Sequence, residues 1–277
     1  MSFYQYTPRI ALSAFIRVYR IGRFVFDNHV PLPFKPYPPR PEHCLCFYPN
    51  DTEQVEYTYT RSKAGRQKIA LIGQHTEVIN RYVGRNFLMF QIVFQPGALY
   101  RLTGIPSQEL FNAYIDAETV FPNSISGINE KLGEAAGNDE MIAIVEDFLF
   151  KLINRPLKDI DSIDRLSATI LESPNMFSVD YLAKESCLSL RQFERRCKAR
   201  MGVSPKAFIN LVRFSNVNRM KNKYPDMDWF TLAIHCGYYD LQHLIKDYKK
   251  FSLLTPGDFF KLELECPERK LGIVDAF

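Results

Sequence analysis

Two short stretches of this chain carry side chains suited to reading the surface of another molecule. Arg191, Gln192 and Arg195 follow Ser189, while Gln242, His243 and Lys246 occupy the matching positions after Asp240. All six can donate hydrogen bonds to the acceptor atoms of a purine edge in a duplex groove. Arg196, Lys249 and Lys250 lie beside them and suit phosphate oxygens, which position a protein on a duplex without reading its sequence. Charge is distributed accordingly. Between Ser189 and Lys250 there are 13 Lys and Arg against five Asp and Glu, an excess of eight in a chain whose net charge is only +4. The rest of the chain is therefore mildly acidic, as expected for a polyanion-binding module joined to something else. Solvated helix faces usually mix charges, and Glu194 does so here. The weight of the reading thus rests on the duplication rather than on charge.

That duplication extends well beyond the polar positions. At equal offsets from Ser189 and Asp240, Phe193 matches Leu244, Cys197 matches Tyr248, and Phe208 matches Phe259. Ser204-Pro205 matches Thr255-Pro256, each pair placing a capping hydroxyl before a proline at the first helical position. Upstream, Leu182-Ala183 matches Leu232-Ala233 with a one-residue change in the turn between. Ser189-x-x-Gln192 is a capping-box pattern and Asp240 can cap the equivalent helix. Each unit therefore reads helix, short turn, helix. The apolar positions Phe208, Leu211, Phe214 and Val217 predict one helix from Pro205 to Asn222, spanning roughly 27 Å. Two reading helices on such a rod would reach successive major-groove segments about 34 Å apart.

At 277 residues the chain is long enough for two cores. The first ~96 residues predict short strands: His43 to Tyr48, Val55 to Thr60, Lys68 to Ile72, Val78 to Val83 and Phe87 to Phe94. Six prolines between Pro31 and Pro41 predict a loop or an edge crossing. From Pro96-Gly97 the periodicity becomes helical, with Ile125, Ile128 and Leu132 on one face and then Ile142, Val145, Leu149 and Leu152 on another. Arg155-Pro156 closes this stretch, and Asp159 to Asp164 reads as a linker. The expected fold is α+β in two domains. Residues 1–158 form a β-barrel or sandwich with C-terminal helices, and residues 159–277 an all-α double helix-turn-helix.

The C-terminal pattern resembles the AraC/XylS family of transcription regulators. The resemblance covers roughly residues 162 to 264. It is carried by Leu182-Ala183, Ser189 to Lys198, Gly202-Val203-Ser204-Pro205, Arg213-Phe214, Leu232-Ala233, Cys236-Gly237-Tyr238-Tyr239-Asp240 and Leu254-Thr255-Pro256. Cys187 and Leu253 stand where the family favours glycine, and Cys197 stands where phenylalanine is usual. The N-terminal part is similar to a cupin-like sensor domain through Gly73-Gln74-His75-Thr76 and Phe94-x-Pro96-Gly97-Ala98-x-x-x-Leu102-x-Gly104-x-Pro106. The second of these stretches reads as a strand-to-helix turn that needs glycine. What the resemblance implies is a cytoplasmic, effector-modulated regulator of transcription, an activator and a homodimer, that binds double-stranded DNA. It further implies contact with RNA polymerase, and dimerisation through the helix from Asp139 to Asn154. Tyr57, Tyr59, Phe90 and Phe94 are candidates to line an effector cavity, although a plain core position is the stronger reading of each singly.

Other classes find little support. No apolar run approaches the ~20 residues of a membrane span, and the N-terminus lacks the pattern of a secretion signal. A metal-dependent cupin enzyme fused to a DNA-binding module is the alternative. Such sites need a His-x-His pair with further ligands, and histidines 29, 43, 75, 235 and 243 supply no such pair. His43 beside Cys44-x-Cys46 lacks a second ligand pair. The six cysteines lack a framework spacing and read as buried free thiols. No catalytic residue, metal site or cofactor is expected.

Overall fold

A computed structural model describes residues 2–29, 32, 34–121, 125, 127–154, 158–174, 178–266 and 269. The N-terminal strands are β1 (Ser2–Tyr6), β2 (Ile16–Val25), β3 (Phe34–Tyr37), β4 (Cys44–Phe47), β5 (Glu53–Tyr57), β6 (Lys63–Gly65), β7 (Ile69–Ile72), β8 (Ile79–Val83) and β9 (Asn86–Phe94). Helix α1 (Ala98–Thr103) and strand β10 (Tyr114–Asp116) follow, then α2 (Ile128–Glu134) and α3 (Asn138–Ile153). Two antiparallel sheets result, ordered β1-β2-β9-β4-β7-β10 and β3-β8-β5-β6. They face one another without closing into a barrel, so the sandwich form of the expectation is the one observed.

Packing on both faces explains the composition of the central strands. Phe90, Ile92 and Phe94 of β9 enter one core with Leu45, Phe47, Val145 and Leu149, beneath α2 and α3. Their neighbours Met89 and Val93 enter the inter-sheet core with Cys44, Cys46 and Tyr48. A strand buried on both sides loses the polar alternation of a half-exposed one. Gln91 is the exception on β9, and its Oε1 accepts from Arg20 at 2.9 Å.

The proline-rich stretch is less irregular than expected, because Phe34–Tyr37 forms β3 with Pro36 inside it. β3 lies at the sheet edge, where one side of a strand needs no ladder donor. The strand expected to reach Thr60 stops at Tyr57, where the Thr58 hydroxyl turns to donate to the Val78 carbonyl at 2.8 Å.

The C-terminal helices are α4 (Ser162–Glu172), α5 (Val179–Glu185), α6 (Leu190–Met201), α7 (Pro205–Lys223), α8 (Trp229–His235), α9 (Leu241–Ser252) and α10 (Pro256–Leu264). Their shared core includes Phe193, Leu211, Phe214, Val217, Leu244, Tyr248 and Phe259, and it takes in Val78 from the N-terminal domain. The acidic segment expected as a linker is instead the start of α4. Asp161 and Asp164 form a capping box there, with each side chain satisfying a backbone N–H that the first turn leaves open.

Candidate nucleic-acid interface

Each helix-turn-helix is built from the same local devices. Ser178 caps α5 and Asp228 caps α8, accepting from Tyr181 N and Thr231 N. Both first helices then end in a residue with positive φ, Cys187 at 53° and Gly237 at 78°. Each turn closes with the same backbone bond, Leu188 N donating to Ala183 O and Tyr238 N donating to Ala233 O. Glycine adopts that conformation freely, whereas a cysteine there costs about 1 kcal/mol. The reading helices are capped by Ser189, in a box with Gln192, and by Asp240, which accepts from His243 N at 2.7 Å. Ser204 and Thr255 cap α7 and α10, each with proline following.

The two turns differ by one residue. Leu188 is followed directly by the cap Ser189, whereas Tyr239 intervenes between Tyr238 and the cap Asp240. That extra residue is thrown outward and is 89% exposed. Sequence comparison registers the insertion as an offset, but only the fold places its side chain beside the start of a reading helix.

Positions expected to read bases are mostly open to solvent. Arg191, Gln192 and Arg195 on α6 are exposed, as are Gln242 and Lys246 on α9. Phe193, Cys197, Leu244 and Tyr248 point inward as the repeat requires. His243 is half-buried and packs edge-on against Tyr238, with ring centroids 5.1 Å apart. Gln192 is partly committed, since its Oε1 accepts from Ser189 N at 3.1 Å, which leaves its amide nitrogen to face outward contacts. Among the phosphate candidates, Lys249 and Lys250 are exposed, while Arg196 donates to Asp161 at 3.1 Å.

The N-terminal domain grips the C-terminal ends of both reading helices. On α6, the Ser107 hydroxyl donates to Arg200 O at 2.9 Å, and a Cβ at Gly202 would lie 3.0 Å from Ser107 O. On α9, Val78 N donates to Phe251 O at 2.7 Å and the Tyr59 hydroxyl donates to Lys250 O. Beside α6, the Arg200 guanidinium bonds Asp164 and approaches Asp161 at 3.5 Å. Gly97 permits this packing. Its φ is +75° and a Cβ there would stand 1.9 Å from Asp164 Oδ1. The strand-to-helix turn expected at Gly97 is therefore also part of the contact between domains.

The four aromatic candidates for an effector cavity are not brought together. Phe90 and Phe94 lie in the core beneath α2 and α3, where Phe90 packs on Tyr19. Tyr57 belongs to a small cluster on the four-stranded sheet and donates to Asn112 O at 2.6 Å, while Tyr59 sits at the contact with α9. A small cavity of about 30 Å³ does exist between the sheets, with Tyr37, Tyr114, His75, Arg81 and Gln91 among its lining residues. Burial holds the His75 ring down to about 4, and among the described residues neither of its nitrogens has a hydrogen-bond partner.

Among the described residues, no group of three His, Cys, Asp or Glu side chains is placed to hold a metal ion. Burial pushes the Cys46 thiol up to about 12 and that of Cys44 well above its ordinary value. Five of the six free cysteines are buried, but Cys187 is exposed, contrary to the expectation for all six. Among the described residues no helix is long and apolar enough to cross a membrane.

Comparison with known proteins agrees with this geometry. Residues 182–262 match a helix-turn-helix domain family, and residues 4–116 match a domain of unknown function, DUF6597. The HTH-type transcriptional regulator MtrA of Neisseria gonorrhoeae is 26% identical over 100 residues, which is 36% of this chain and 33% of that protein. The match thus spans about a third of the length of this relative. Among solved structures, an apo form of ToxT from Vibrio cholerae strain SCE256, carrying a single substitution, superposes with a TM-score of 0.51 at 10% identity, over 88% of this chain and 97% of that one. The duplicated helix-turn-helix, its turn chemistry and these likenesses support an AraC-type regulator, with a helix-turn-helix domain at residues 182–262 behind a DUF6597 domain at residues 4–116.

Proposed function

We propose that α6 and α9 enter successive major-groove segments of one duplex and read it with Arg191, Gln192, Arg195, Gln242, His243 and Lys246, while Arg196, Lys249 and Lys250 hold phosphates. The observation that carries this reading is the repetition of one capped helix-turn-helix with exposed donors at matching positions of both second helices. α7, of 19 residues, separates the units by roughly 28 Å along its axis, close to one turn of duplex. Residues 1–158 act as the sensing domain and residues 159–277 as the reading domain. The N-terminal domain transmits the state of a small-molecule effector, because its hydrogen bonds end on the last turns of the same two helices. Two copies of the chain act together in the cytoplasm and contact RNA polymerase. α3 leaves Ala143, Asp147 and Lys151 for a dimer seam, since Met141, Val145, Phe148, Leu149 and Leu152 are spent on its own core.

Selection of bound duplexes from a randomised pool tests the reading. The expected outcome is two short conserved blocks about one helical turn apart. Enrichment of a single block, or of none, overturns the two-helix reading.

A further inference from the structure

The residue that distinguishes the two turns has a surface that no internal contact covers. In the first unit Leu188 leads straight to the cap Ser189, but in the second Tyr239 stands between Tyr238 and the cap Asp240. Tyr239 is 89% exposed, more than any other aromatic side chain among the described residues. No hydrogen bond or ring contact joins its side chain to a described residue. Exposure alone is ordinary for a single apolar side chain, but the setting of this one is not.

Both of its neighbours are pinned. Tyr238 is 3% exposed, its N–H donates to Ala233 O at 2.9 Å, and its ring meets His243 edge-on. Asp240 is fixed on the other side, because its carboxylate accepts from His243 N at 2.7 Å. The backbone of Tyr239 therefore runs between a core anchor and a helix cap, and its ring stands in solvent at the N-terminal mouth of α9. Gln242, three residues on, and Lys246, about one turn further, are exposed as well. The N-terminal residues of a reading helix are those that meet base edges in a major groove. Among the groups displayed there the thymine 5-methyl is apolar, and it suits a ring better than an amide or a charge.

We infer that Tyr239 is a specificity-determining residue of the second unit, its ring packing on the 5-methyl group of a thymine in the duplex segment that α9 reads. This role rests on the duplex reading proposed above. It adds a preference with no counterpart in the first unit, whose turn lacks the residue.

Fluorescence anisotropy on a selected duplex, with each thymine replaced in turn by uracil, tests the assignment. Uracil keeps the pairing and the hydrogen-bonding edges and removes only the methyl. One thymine in the block read by α9 should bind about three- to five-fold more weakly as uracil. In Tyr239→Ala, an exposed change that leaves the fold in place, that position should become indifferent to the methyl. Affinity of this variant for the parent duplex should fall about ten-fold. Tyr239→Phe should keep the methyl preference. A preference that is absent in the unaltered chain, or unchanged in Tyr239→Ala, overturns the inference. So does a loss in Tyr239→Phe that is uniform across duplexes, which would make the hydroxyl a phosphate contact. Gln242→Ala separates this role from the wider reading. A loss there with none in Tyr239→Ala overturns the role of Tyr239 alone, whereas no loss in either variant also overturns the placement of α9 in the groove.

Discussion

The two helix-turn-helix units share a plan but are held differently. The first is anchored through side chains. Arg200 of α6 is locked between Asp164 of α4 and the cap Asp161, with Tyr100 of α1 beneath its guanidinium at 5.0 Å. The second meets the N-terminal domain through Tyr59 and Val78 alone among these bonds, both ending on main-chain carbonyls of α9. The outward faces differ too, since α6 offers two arginines where α9 offers glutamine and lysine. The first unit is therefore the more firmly anchored, with the more basic outward face, and the second is held by fewer side chains.

Breaking the anchor has the largest expected effect. Arg200→Ala leaves Asp164 buried without its cation and should cost about 3–5 kcal/mol, read as a fall in the denaturant midpoint. A change below about 1 kcal/mol would show that the first unit is no better anchored than the second. Acid acts on the domain that holds both units. Burial keeps His43 and His75 at about 4, against about 6.5 in an unfolded chain, so the unfolded state binds more protons between these values. Stability should therefore fall as pH drops from about 6.5 to 4, by at most about 3 kcal/mol per ring. Urea titration across that range checks it, and His75→Phe should flatten the slope.

Next in size is the reading asymmetry itself. Arg195→Ala should cost about 1–3 kcal/mol of duplex affinity and relax one base position, whereas Lys246→Ala should cost about 1 kcal/mol or less. Fluorescence anisotropy on a selected duplex measures both, and equal losses would erase the distinction between the units. The smallest effect concerns backbone strain. Leu253 closes α9 at a φ of 63°, whereas Gly202 closes α6 at 80°. Leu253→Gly should relieve about 0.5–1 kcal/mol of conformational cost, seen as a small rise in melting temperature.

Legibility followed the range of the interaction. The caps at Ser189, Asp240, Ser204 and Thr255, and the inward positions Phe193, Leu244 and Tyr248, depend on neighbours within a turn or two and were readable from spacing. Strand β2 was hidden because Arg17, Arg20 and Arg23 interrupt its apolar pattern. The partners that bury Arg20, namely Glu42 and Gln91, lie 22 and 71 residues away. A separation of 36 residues likewise hid the contact between Asp164 and Arg200, so the acidity of Asp161 and Asp164 suggested a solvated linker. The aromatic quartet failed for a related reason, since residue type marks an apolar environment but says nothing about which cluster it joins.

The clasp on the reading helices ends on carbonyl oxygens of Arg200, Lys250 and Phe251, atoms that every residue possesses. Substitutions on the outward faces of α6 and α9 therefore leave that clasp intact. The outward chemistry of α6 and α9 can change on those faces alone, while the contacts from the N-terminal domain are inherited unaltered. Such an arrangement lets the two ends of each contact diversify on separate schedules.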